Sequence, residues 1–199
     1  MASALQARGP AQLAPFSHAS YTLVRPLFSW SRIYRVFAPD GSLAAVVEQP
    51  WFRLRMELVL YADEARTQPI LVIKNRRIAA INMEHDLFDA RSGKRLGVVR
   101  TRLGWSLRDR WDILDAGDRP VGQMVEDGPF FLRRIIRLLP GRHRIELGGS
   151  EVARVQQIFH LFRREFALDL LPVQDPIEPR FAIACALLAV MADLRREGR

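Results

Sequence analysis

The chain has 199 residues, 49% of them hydrophobic, and a formal net charge of +8. That length fits one domain with ample apolar material for a core, which excludes a disordered or fibrous chain. A single cysteine, Cys185, excludes a disulfide framework and makes a thiolate metal site implausible.

Residues 1–20 lack a compact apolar stretch, and Gly9, Pro10 and Pro15 interrupt them. They read as a disordered N-terminal tail rather than a secretory signal, and the expected location is cytoplasmic, including the inner membrane face as a peripheral protein. The folded domain is expected from residue 21 to 199. Tyr21–Leu27 reads as an edge strand, because Pro26 has no N–H to give a second neighbour. Ile33–Phe37 and Leu43–Val47 then flank Asp40-Gly41, a strong hairpin signal.

The same unit recurs along the chain. Leu58–Tyr61 and Asp63 precede Pro69–Ile73. Asp86–Asp89 and Ser92-Gly93 precede Leu96–Val99. Trp111–Asp115 and Gly117 precede Pro120–Val125. Arg144–Leu147 and Gly148-Gly149 precede Val152–Val155. In mid-chain the period is about 26 residues, and fixed spacing marks an architectural repeat. A last strand runs from Arg163 to Leu171 and stops at Pro172.

One segment breaks the alternation. At helical period Arg133, Arg134 and Arg137 share one face of Phe130–Leu139, and Leu132, Ile135, Ile136, Leu138 and Leu139 share the other. It is expected to be a short amphipathic helix. The chain ends on Phe181–Ala192, which is apolar at every position. A helix with no polar face must be wrapped by protein or lipid, and this run is short for a bilayer, which needs roughly 20 residues. Pro179 suits its first turn, and Arg195 and Arg196 suit its negative end. About twelve strands need closure, and a lumen needs filling. A closed antiparallel barrel around this helix meets both needs, with no transmembrane span.

The order of these elements resembles the tubby-like superfamily, and within it the phospholipid scramblase and LURP-one-related families. Tyr34 through Asp40-Gly41, Leu58–Tyr61, Val121-Gly122 and Val152-Ala153 carry the likeness. So does Phe166–Leu171 leading into Phe181–Ala192. It covers roughly residues 21–196 and implies a twelve-stranded barrel threaded by its C-terminal helix. The chain departs from the eukaryotic scramblases: it has no cysteine cluster, and Arg163 and Arg164 stand where acidic residues would bind calcium. Tubby domains bind phosphoinositides partly through a Lys-x-Arg pair, which Lys74-Asn75-Arg76 spells, so Lys74 and Arg76 are candidate headgroup ligands.

No catalytic set, cofactor motif or metal spacing emerges. His18, His85, His143 and His160 are scattered, and Glu84 and Asp86 would face away from His85 on a strand. Asp63, Asp89 and Asp115 read as turn residues, since calcium wants about 6–8 oxygens in one place. Trp30, Trp51, Phe52 and Trp105 read as rim packing or as membrane-interface aromatics. The expected function is non-enzymatic association with a lipid surface. Arg133, Arg134, Arg137, Arg142 and Arg144 would form its anionic-lipid patch. The alternative is a nucleic-acid-binding protein that uses the same patch.

Overall fold

The computed structural model describes residues 16–26, 33–49, 57–76, 83–102, 110–127 and 141–197. Among the described residues twelve strands precede one helix. They are β1 (Ser20–Pro26), β2 (Ile33–Phe37), β3 (Leu43–Glu48), β4 (Glu57–Tyr61), β5 (Pro69–Asn75) and β6 (Glu84–Asp89). Then come β7 (Arg95–Arg102), β8 (Arg110–Asp115), β9 (Pro120–Asp127), β10 (Arg142–Leu147), β11 (Ser150–Ile158) and β12 (Arg163–Leu170), followed by the helix α1 (Pro179–Glu197). Each strand pairs antiparallel with the next, and β1 pairs with β12, so the sheet closes into a barrel with no free edge.

The expected edge strand is therefore interior. β1 keeps its whole length against β12, from Ser20 opposite Asp169 to Pro26 opposite Arg163. Against β2 it pairs only over Thr22–Val24. Pro26 lies beyond that ladder, so its missing N–H costs nothing on the β2 side. Order also begins before residue 21, because Phe16 is buried in the core.

The lumen is apolar and α1 fills it. Every residue from Phe181 to Met191 is buried, Cys185 among them. These side chains form one cluster with strand residues such as Leu23, Val36, Leu58, Ile73, Leu87, Ile113, Ile145 and Leu168. Pro179 opens the helix as its composition predicts. Glu178 caps it, its Oε2 accepting from the Phe181 amide at 2.9 Å. Burial pushes the Cys185 thiol far up, so it is protonated and serves as a small apolar residue.

Alternation assigns the opposite face of the strands to the outer wall, and that wall carries charge: Glu57, Lys74, Asp86, Arg100, Asp112, Arg144 and Arg154. An apolar lumen inside a charged wall is the reverse of a membrane-spanning barrel. Among the described residues no helix is long and apolar enough to cross a membrane.

Candidate functional site

The two ends of the barrel are built differently. One end carries the tight hairpins after β2, β4, β6, β8 and β10, each turning on its own carboxylate or glycine pair. Asp40 accepts from the Ser42 amide at 2.9 Å. Asp63 accepts from the amides of Thr67 at 3.0 Å and Gln68 at 2.9 Å. Asp89 accepts from the Ser92 amide at 2.8 Å, and Asp115 from the amides of Gly117 at 2.8 Å and Arg119 at 2.9 Å. Asp63, Asp89 and Asp115 thus recur at the 26-residue period as turn residues. Gly148 and Gly149 close the last hairpin, both at positive φ. This end also anchors α1: Arg180 Nη1 donates to Asp89 Oδ2 at 2.6 Å and Arg180 Nε to Glu178 Oε1 at 2.7 Å. Partial burial works against a charged Asp89. The Ser92 amide and the Arg180 guanidinium outweigh it and hold the carboxyl below the ordinary aspartate range.

The other end receives α1's C-terminus. There the lumen turns polar. Asn75, His85, Glu126, His143, Arg25 and Arg164 face inward at the strand ends. His143 Nε2 lies 3.2 Å from Asp193 Oδ2, and both side chains are almost wholly buried. The His143 ring stands edge-on to Trp111 at 5.5 Å. This contact ties the last turns of α1 to the barrel wall. Arg25 stacks over the Tyr34 ring at 5.6 Å.

The segments 27–32, 50–56, 77–82, 103–109 and 128–140 join strand ends at this second end. Their composition is extreme. They hold Arg32, Arg53, Arg55, Arg77, Arg108, Arg133, Arg134 and Arg137 against one acid, Asp109. They also hold Phe28, Trp30, Trp51, Phe52, Trp105, Phe130 and Phe131. The hairpins after β2, β4, β6, β8 and β10 hold no aromatic residue, and their acids and bases balance.

The sequence-derived candidates separate accordingly. Arg133, Arg134 and Arg137, with the amphipathic helix expected over Phe130–Leu139, lie outside the described residues. Arg142 is exposed at the long-connection end of β10, with no ion-pair partner among the described residues. Arg144 shares its outer face but is committed to Glu146 at 2.8 Å and Asp127 at 3.9 Å.

Lys74 and Arg76 share the outer wall but not a role. Lys74 is exposed, 3.8 Å from Glu57 and over the Phe88 ring at 5.9 Å. Arg76 is locked in a wall cluster: it lies 2.8 Å from Asp86, 3.0 Å from Asp118 and 3.4 Å from Glu84, and Arg95 shares Asp86 and Asp118 with it. A phosphate would compete with three carboxylates for that guanidinium. His85 points inward while Glu84 and Asp86 bond Arg76 outside, so the three cannot converge.

One feature of this end escaped sequence reading. The turn from β11 to β12 exposes Phe159, Leu161 and Phe162, with Ile158 beside them. The available signal was an apolar run at the point where strand alternation stops. A scan against protein-family models, and searches of curated proteins and of solved structures, found nothing that matches this chain.

Proposed function

We propose that the protein is a non-enzymatic module that docks its long-connection end on an anionic membrane surface, as a peripheral and not a spanning protein. The observation that carries this reading is the contrast between the ends. Arginine and aromatic residues are concentrated in the connections of one end, and the hairpins of the other are neutral and self-satisfied. Basic residues near an anionic leaflet contribute about 1 kcal/mol each, and aromatic rings favour the interface. The reading agrees with the resemblance to the scramblase-like and LURP-one-related families of the tubby-like superfamily, and it includes no lipid scrambling. In it Arg142 and the arginines of 128–140 meet the headgroups. Lys74 contributes at most from the side wall.

The test is binding to vesicles of zwitterionic lipid, with and without phosphatidylserine, beside binding to duplex and single-stranded DNA and RNA, each at two salt concentrations. The expected result is binding that requires the anionic lipid and weakens with salt. Tighter binding to nucleic acid than to anionic vesicles would sink the membrane reading in favour of the same basic end used on phosphodiesters.

A further inference from the structure

The turn between β11 and β12 is poorly suited to water. Phe159, Leu161 and Phe162 are 62%, 71% and 75% exposed. Among the described residues every exposed large apolar side chain belongs to this turn or to Ile158 at its foot. The turn is nevertheless braced. Glu165 Oε2 accepts from Arg163 Nε at 2.7 Å and lies 3.2 Å from His160 Nε2, so one carboxylate ties the turn to the start of β12. The brace uses the polar side chains and leaves the apolar ones outward. Arg163 and Arg164 follow directly, and Glu165 is the only acid between Gln156 and Leu168.

We propose that this turn is a membrane-insertion tip. Phe159, Leu161 and Phe162 enter the acyl boundary of an anionic bilayer, while Arg163 stays at headgroup level. The chemistry matches the partner on two counts. Large apolar side chains gain by leaving water, and the charge beside them is of the sign an anionic leaflet attracts. The position matches as well, because the tip projects from the end whose connections carry the arginines. The inference rests on the membrane reading above and names the element that penetrates.

Two arms test it in the full chain. In the first, Phe162→Cys is labelled with an environment-sensitive fluorophore; Cys185 is buried with its thiol pushed far up and stays unlabelled. Phosphatidylserine-containing vesicles should shift the emission to the blue, and brominated acyl chains should quench it. In the second, Phe159→Ser, Leu161→Ser and Phe162→Ser are combined, and cosedimentation with those vesicles should weaken by at least about tenfold. An unshifted label on protein that does cosediment overturns the tip and spares the membrane reading. Wild-type protein that fails to cosediment overturns both. A wild-type dimer in lipid-free buffer that becomes monomeric in the triple serine variant, with vesicle binding unchanged, overturns the tip and assigns the turn to a second copy. If the triple variant does not fold, the fluorophore arm alone decides.

Discussion

The two ends of this barrel solve the same problem, turning a strand back on itself, in opposite ways. At the hairpin end an aspartate accepts the amides of its own turn, and the turn is complete in a few residues. At the other end connections run longer, carry arginine and aromatic residues, and in one place hold bare phenylalanines in solvent. Local hydrogen bonds explain the first end fully. At the second, the described turn between β11 and β12 leaves Phe159, Leu161 and Phe162 in water. The contrast separates turns closed by their own carboxylates from an end rich in arginine and aromatic residues.

The most severe way to test the division is to remove what both ends share. Deleting residues 180–199 empties the lumen, and the truncated chain is expected to be insoluble or unfolded. A soluble truncation with a cooperative melt would show that the barrel does not need α1. Ala186→Arg should come close, because it buries an unpaired charge where the native side chain is fully enclosed. A normal melting profile would place that position outside the core.

Next is the basic end alone. Changing Arg133, Arg134 and Arg137 to Gln is expected to weaken binding to anionic vesicles by roughly 3 kcal/mol at low salt, at about 1 kcal/mol per residue, with the melting temperature little changed. Equal vesicle binding by the triple variant would confine the membrane contact to other residues.

The hairpin end should behave the opposite way. Asp89→Asn keeps an oxygen for the Ser92 amide but removes the charged partner of Arg180, and should cost about 1–3 kcal/mol of stability with vesicle affinity unchanged. The pH dependence has a definite sign. The folded carboxyl titrates below its unfolded value of about 3.9. Its contribution is therefore present above that value and lost as pH falls through the lower, folded one. Acid unfolding should begin at higher pH in Asp89→Asn, measured by far-ultraviolet circular dichroism. Identical acid profiles would show that the Asp89–Arg180 contact does not hold the helix entry.

The smallest expected effect is none. Calcium should leave the melting temperature unchanged, because Asp63, Asp89 and Asp115 are engaged by their own turns and sit in separate hairpins. A calcium-dependent rise would mean that carboxylates converge somewhere outside these turns.

Much of this architecture was legible because its cues are local. Asp40-Gly41, Ser92-Gly93 and Gly148-Gly149 mark hairpins by turn chemistry, and Phe181–Ala192 has no face that tolerates water. The position of β1 was not legible, since barrel closure depends on a strand at the far end of the chain and Pro26 suggested an edge. The Arg76 cluster and the His143–Asp193 contact were hidden for the same reason: their partners are distant in sequence, and spacing says nothing about them. The exposed Phe159, Leu161 and Phe162 read as ordinary apolar residues until their surroundings are known. Gly122 is a similar case. A Cβ there would lie 2.0 Å from the Glu146 carbonyl oxygen, a close approach across β9 and β10 that a loose Val-Gly motif does not announce.

The closure of β1 on β12 also sets an order of events on the ribosome. β1 must wait for β12 before the ladder between them forms, and the helix that fills the lumen emerges later still. Contacts of such high sequence separation make folding slow and leave apolar strand faces open to the wrong neighbours meanwhile. Most of the nascent chain is therefore a sheet without a core, capable of hairpins but not of a barrel. A premature stop anywhere before residue 179 is expected to yield a sheet with no helix to fill its lumen.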